Sequence, residues 1–302
     1  MNLISQIKDI QNKISGEIQF DKNLSKYSWF NLGGPAKVIF QPKTLNELSI
    51  FLKNVEGFSK IKVLGAGSNT LIRDGGFDGI IIKLGKSFSH LSLFDENTII
   101  AGASVSDKKV SDFALENSLS GFEFLSCIPG TIGGGIRMNS GCYGEDISKI
   151  LVSVQLMDLS GNMRVIYSSD IKFSYRNCDL DSKLIFISAT FKGKKDDQSK
   201  IKKKLNDLIK KKKNDQPTNI KTCGSTFKNP ENKKAWELIK SSGCVGMNVG
   251  DAGISEKHCN FFVNKGNAKS SDLENLIYKV KNKVFDKTGI NLELELQIIG
   301  EK

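Results

Sequence analysis

Residues 128–144 read Ile-Pro-Gly-Thr-Ile-Gly-Gly-Gly-Ile-Arg-Met-Asn-Ser-Gly-Cys-Tyr-Gly, six glycines in seventeen positions with apolar rather than solvating neighbours. Glycine tolerates positive φ and lets main-chain N–H groups come close to a ligand, which is how backbone nests hold anions such as phosphate. A flexible linker would carry serine and charge instead. A second segment of this kind, Gly65-Ala66-Gly67-Ser68-Asn69, follows the apolar run 61–64. Neither fits a common nucleotide motif. A P-loop needs Lys-Ser or Lys-Thr after its last glycine, whereas Ile136 and Arg137 follow Gly135, so nucleoside triphosphate hydrolysis is not indicated. The dinucleotide fingerprint fails at Thr70, where its third glycine belongs, and Arg73-Asp74-Gly75-Gly76 reads as a turn rather than a helix.

The other reactive residue types are sparse. Cys127, Cys142, Cys178, Cys223, Cys244 and Cys259 form no C-x-x-C pair, and His90 and His258 are the only imidazoles, so a metal centre is not expected and the cysteines read as buried thiols. Near the C-terminus Leu292, Leu294, Leu296 and Ile298 alternate with Glu293, Glu295 and Gln297, which puts two carboxylates on one face of a strand. Periodicity alone reads them as a solvent face.

The elements that must position these residues alternate between helix and strand without an internal repeat. Leu3, Ile7, Ile10 and Ile14 predict a first helix, and Thr44-Leu45-Asn46-Glu47 a capping box that opens a second. Strands are predicted at 37–40, 61–64, 80–84, 150–157, 184–191, 261–263 and 292–299. Ser271-Asp272-Leu273-Glu274 predicts the start of a late helix that Gly289 can end. At 302 residues, 39% hydrophobic and 25% charged, the chain can bury two or three cores. No apolar stretch approaches the roughly 20 residues that span a bilayer, and the N-terminal residues lack a signal-peptide core, so a cytoplasmic protein is expected.

The net charge of +11 is local: residues 192–213 hold eleven lysines against Asp196, Asp197 and Asp207. Ile201, Leu205, Leu208 and Ile209 form the stripe of an amphipathic helix in that tract, and no aromatics interleave for base stacking. The tract reads as a solvated connector, not a nucleic-acid arm.

Seven ordered motifs together are specific. They are Trp29-Phe30-Asn31-Leu32-Gly33-Gly34-Pro35-Ala36, Leu64-Gly65-Ala66-Gly67-Ser68-Asn69, Ile128-Pro129-Gly130-Thr131-Ile132-Gly133-Gly134, Met138-Asn139-Ser140-Gly141-Cys142-Tyr143-Gly144, Phe173-Ser174-Tyr175-Arg176-Asn177, Cys223-Gly224-Ser225-Thr226-Phe227-Lys228-Asn229-Pro230 and Glu295-Leu296-Gln297-Ile298-Ile299-Gly300. In this order they resemble the UDP-N-acetylenolpyruvoylglucosamine reductases, in the more compact subtype of that family. The resemblance implies an α+β chain with an FAD-binding fold of the vanillyl-alcohol-oxidase (PCMH) type. Two α+β subdomains, 1–84 (with 291–302 returning to it) and 85–195, would clasp FAD, and an α+β domain at 196–290 would cover the substrate.

It also implies chemistry. NADPH would reduce the flavin, and the flavin would pass hydride to the enolpyruvyl double bond of UDP-N-acetylglucosamine enolpyruvate, both small molecules using one cleft in turn. Arg176 would meet the developing carboxylate charge, Ser225 would donate the proton, and Glu295 would assist opposite Arg176, with Glu293 the structural decoy. Gly65, Ala66, Gly67, Ser68, Asn69, Pro129, Gly130, Thr131, Gly133, Gly134, Asn139 and Gly141 would bind the cofactor, the glycine loops offering amides to its diphosphate without a helix N-terminus. Tyr175, Lys228, Asn229 and His258 would bind substrate. The expected protein is a monomer with no membrane or nucleic-acid partner. Gln297 stands where the family mostly has arginine, and Arg137 is an unusual cation within the glycine run. A flavin oxidase of the same fold, turning over with oxygen, is the alternative left open, and a flavin-free binder of UDP-sugars is a weaker one.

Overall fold

The computed structural model describes residues 3–55, 57 and 60–302, without the side chain of Gln6. Contacts group them into two units: the chain up to Phe20 with Val38–Ala66 and Gly79–Lys211, and Asp21–Lys37 with Gly67–Asp78 and Lys212–Lys302. The boundaries fall inside β1 (Glu17–Asn23), β2 (Pro35–Gln41) and β5 (Phe77–Ile82).

In the first unit, β1, β2, β5 and β3 (Ile61–Val63) form a sheet in that order, with β3 and β5 parallel. Helices α1 (Leu3–Gln11) and α2 (Leu45–Asn54) bring Leu3, Ile7, Ile10, Leu48, Phe51 and Leu52 onto Val38, Phe40, Ile80 and Ile82. The predicted cap of α2 forms: Thr44 Oγ1 accepts from Glu47 N at 3.1 Å. The Glu47 carboxylate also gathers Ser15 N and Lys43 N, each at 2.8 Å. These bonds hold it below the usual carboxylate range although burial opposes them.

A second, antiparallel sheet runs β12 (Met163–Tyr167), β11 (Leu151–Met157), β15 (Ile185–Lys192), β7 (Thr98–Gly102), β6 (Leu91–Leu93). β15 is mostly apolar because both faces are covered: Ile185 and Ile187 join the α1–α2 core, and Phe186, Ala189 and Phe191 join a core with α3 (Asp107–Glu116) and α4 (Ile132–Arg137). Short pairs fill the connections, β8 (Leu119–Ser120) with β16 (Lys194–Lys195), β9 (Gly141–Cys142) with β10 (Glu145–Asp146), and β13 (Phe173–Ser174) with β14 (Asn177–Cys178). The lysine tract folds as α5 (Gln198–Asp215), burying Ile201 and Leu205 and leaving its lysines on the wet face.

In the second unit β4 (Thr70–Ile72) pairs in parallel with the terminal strand β20 (Gln297–Ile299), register Gln297 to Thr70. A three-stranded antiparallel sheet, β17 (Asn248–Val249), β18 (Ala252–Ile254), β19 (Phe262–Asn264), packs with α6 (Ala235–Ser241) and α7 (Ser270–Thr288) around Phe227, Phe262, Leu276 and Val280. Gly289 ends α7 in the left-handed region at φ 71°, as the sequence predicts.

Three expectations are corrected. Helix α7 starts at Ser270, with Asp272 accepting from Lys269 N at 2.9 Å, not with a Ser271–Glu274 box. Glu274 is drawn away by Arg73, which binds it twice, at 2.8 and 3.0 Å. The strand expected over 292–299 is regular only at 297–299, because residues 292–296 bend to follow the 226–228 segment. Finally, the glycine run is not all loop, since 132–137 coil into α4.

Candidate functional site

The two glycine segments meet. A Cβ on Gly65 would lie 2.7 Å from Thr131 Oγ1, so only glycine allows this approach, and Lys83 Nζ donates to Gly65 O. Gly67, at φ 70°, turns the following residues, and a Cβ there would run into Tyr27 O. Asn69 Nδ2 then donates to Glu295 O at 3.0 Å, and Asn69 O accepts from Gln297 N at 3.0 Å. Ala66 and Ser68 stay half-exposed between these anchors, and Pro129 is exposed before the turn at Gly130.

Within the second segment each glycine has its own reason. Gly133 N donates to Ala103 O at 2.9 Å, and a Cβ would stand 3.2 Å from Ala103 Cβ, so Gly133 serves close packing of α4 on β7 instead of offering an amide. Gly134 is exposed, with Thr131 Oγ1 3.7 Å from its Cβ position. Gly141 sits where a Cβ would strike Glu145 O across the β9–β10 turn. Asn139, left-handed at φ 40° and buried, spends its side chain on the protein: Nδ2 on Ser174 O at 3.1 Å and Oδ1 on Ser148 N at 3.1 Å.

Arg137 is likewise structural. Its guanidinium donates to Leu180 O (2.6 Å), Asp181 O (3.0 Å) and Leu184 O (2.8 Å) and lies over the Phe186 ring.

Tyr175 and Arg176 form the two-residue tip of the β13–β14 hairpin, with Ser174 opposite Asn177. Arg176 takes φ 57°, its Nη2 donates to Gly141 O at 2.8 Å, and its charge lies 5.0 Å from the Tyr175 ring. The arginine thus ties the hairpin tip to the end of the glycine run.

Ser225 lies in an extended segment bridged to Phe261, while Phe227 bridges Leu294 and Glu295 N donates to Thr226 O at 3.0 Å. Asn260 fixes this segment, its Oδ1 accepting from Phe227 N (3.0 Å) and its Nδ2 donating to Phe227 O (2.8 Å). Ser225 and Glu295 therefore sit on neighbouring backbone segments though 70 positions apart in sequence. Glu293 is the exposed carboxylate and pairs with Lys228 at 3.6 Å, whereas Glu295 is half-buried. Asn229 Oδ1 accepts from Ala235 N at 2.9 Å at the start of α6. The His258 ring packs against Phe261 and Trp236, its Nδ1 accepts from Asn260 N at 3.2 Å, and burial holds its pKa below the usual imidazole value.

Two features escaped sequence reasoning. Asp107 is fully buried under Gly130 and Gly135, and the Arg73–Glu274 pair joins residues 201 apart. In sequence Ser106-Asp107 looks like an ordinary helix start, and nothing local links Arg73 to Glu274. None of the six cysteines is joined in a disulfide, and Cys142 is half-buried and the rest buried.

The convergence of Gly65 on Thr131 brings main chain of the two glycine segments together, an arrangement that suits a dinucleotide diphosphate. A family model described as an FAD binding domain matches residues 36–167, and one described as the C-terminal domain of UDP-N-acetylenolpyruvoylglucosamine reductase matches 216–299. The chain is 52% identical to the reductase of that name from Pelagibacter ubique over 98% of this chain and 99% of that one. It is 45% identical to the one from Orientia tsutsugamushi over 96% and 97%. The crystal structure of the reductase from Thermus caldophilus superposes with a TM-score of 0.82 at 30% identity, covering 95% of this chain and 100% of that one. The chain has the expected FAD-binding fold and belongs to the UDP-N-acetylenolpyruvoylglucosamine reductase family.

Proposed function

We propose residue roles for the reaction of this flavin oxidoreductase, the NADPH-driven, FAD-dependent reduction of UDP-N-acetylglucosamine enolpyruvate in peptidoglycan synthesis. Bound flavin supplies the hydride chemistry between NADPH and the enolpyruvyl double bond. Ser225 donates the proton to the carbon that hydride does not attack. Glu295 supports it from the adjoining segment, and Arg176 offers two parallel N–H donors to the substrate carboxylate as charge develops there. The observation that supports this reading is the backbone pairing of the 225–227 and 294–295 segments, clamped by Asn260, which makes Ser225 and Glu295 members of adjoining segments.

Gly65, Ala66, Gly67, Ser68, Asn69, Pro129, Gly130, Thr131 and Gly134 line the cofactor in this reading, with Gly133, Asn139 and Gly141 shaping its wall. Tyr175, Lys228, Asn229 and His258 bind the nucleotide sugar. Residues 1–84 and 85–195 carry FAD and 196–290 cover the substrate. A cytoplasmic monomer fits a reaction whose small substrates, NADPH and the UDP-sugar, are nucleotides of that compartment. Among the described residues no helix is long and apolar enough to cross a membrane.

Stopped-flow half-reactions of Ser225→Ala test the central assignment. Flavin reduction by NADPH should keep its wild-type rate, while reoxidation by the enolpyruvyl substrate should slow about 10²-fold or more. Equal loss in both halves would remove Ser225 as proton donor.

A further inference from the structure

Lys62 and Lys83 lie outside every motif that carries the family resemblance. In the parallel pair β3–β5, Lys62 stands opposite Ile81, between Ile61 and Val63 on one strand and Ile80 and Ile82 on the other. Those four isoleucine and valine side chains pack into the α1–α2 core, so Lys62 and Ile81 project from the other face of the sheet. Lys83, two residues after Ile81, keeps the ladder through its N–H to Phe40 O at 2.9 Å and reaches Gly65 O with its ammonium group.

Both lysines therefore stand on one face of two parallel strands, Lys62 within β3 and Lys83 just past the carboxyl end of β5, where it reaches the Gly65 turn that abuts Thr131. Ligands of parallel sheets bind outside those strand ends. The charged neighbour of Lys62 is another cation, Arg137, itself held by three carbonyls. Burial, with the Arg137 charge, holds Lys62 below the usual lysine pKa, and burial does the same to Lys83. Half-buried like charges gathered at one place are costly until an anion joins them.

We propose that Lys62 and Lys83 clamp the diphosphate of FAD, adding side-chain charge to the glycine-loop backbone. This rests on the FAD reading of the same site. Lys83 gives up its carbonyl contact to Gly65 or shares it with a phosphate oxygen, and Lys62 reaches the phosphates from the neighbouring strand.

The test is flavin-fluorescence titration of flavin-stripped protein with FAD and with riboflavin, which has the same ring system and no phosphate. Lys62→Met and Lys83→Met should each weaken FAD binding about tenfold, the loss of one charge-assisted contact. Riboflavin binding should stay unchanged, added salt should weaken FAD binding less in the variants than in the wild type, and Lys62→Arg should restore most of the affinity. Far-UV circular dichroism checks that each variant folds. FAD binding as tight as wild type in both methionine variants overturns the clamp, as does equal loss of riboflavin and FAD. A folded wild type that takes up no FAD overturns the cofactor reading itself, and the clamp with it.

Discussion

Asp107→Asn should flatten the pH dependence of stability. The carboxyl is fully buried at the first turn of α3, neither oxygen has a hydrogen-bond partner among the described residues, and burial pushes its pKa up to about 8 from 3.8. Two glycines make room for it: a Cβ on Gly130 would be 2.5 Å from Oδ2, and one on Gly135 would be 3.2 Å from Oδ1. Between pH 3.8 and about 8 the folded protein holds a proton that the unfolded chain has released. The native state binds more protons there, so stability is present at low pH and lost as pH rises through the window. From pH 5 to pH 7 the loss through this residue is two pK units at about 1.4 kcal/mol each, about 3 kcal/mol. The helix N-terminus favours the carboxylate by up to about 1 kcal/mol, which leaves a loss of about 2–3 kcal/mol. Asparagine does not titrate and should lose none of it. Thermal unfolding of the flavin-loaded protein at pH 5, 6 and 7, followed by circular dichroism, reads the difference. The wild-type midpoint should fall about 5 °C more than that of the variant over this range. Parallel midpoints for the two proteins would refute a protonated, buried Asp107.

Gly65→Ala should destabilise the protein by about 1–3 kcal/mol through the clash with Thr131 Oγ1, and Thr131→Ala in the same chain should recover most of that, as urea unfolding of the single and double variants would show. Additive losses would mean that the two glycine segments do not touch. Glu274→Gln should cost about 2 kcal/mol by breaking the double contact with Arg73, less than the roughly 3–5 kcal/mol of a fully buried pair because Arg73 is 29% exposed. A variant as stable as wild type in urea would show that water replaces the contact without loss.

Local signals were enough wherever one segment satisfies itself. The Thr44–Glu47 cap of α2, the apolar stripe of α5 and the left-handed Gly289 are each written in a few adjacent residues, and each forms as read. The order of the seven motifs was likewise enough for the family, the FAD-binding fold and the reaction. Where a side chain has a partner far along the chain, the local reading failed. Glu274 looked like a cap for Ser271, but a guanidinium 201 residues away binds it more strongly than a backbone amide can, and α7 starts on Asp272 instead. Arg137 reads only as an unusual cation within the glycine run, and it is the fold that gives its donors to three carbonyls of the 180–184 turn.

The glycines divide in the same way. Sequence marks them as places where backbone must come close, but only the fold says to what: Thr131 for Gly65, Ala103 for Gly133, the Asp107 carboxyl for Gly130 and Gly135. Periodicity put Glu293 and Glu295 on one face without distinguishing them. The bend of 292–296 along the 226–228 segment separated an exposed Glu293 paired with Lys228 from a half-buried Glu295 bonded to Thr226 O. Short-range pattern thus determined which elements form, because propensity and amphipathicity act within a few residues, and the ordered motifs determined the family. Which carboxylate is buried, which cation is tied down and which neighbour each glycine meets were decided by tertiary structure, because desolvation and pairing depend on neighbours that only folding brings together.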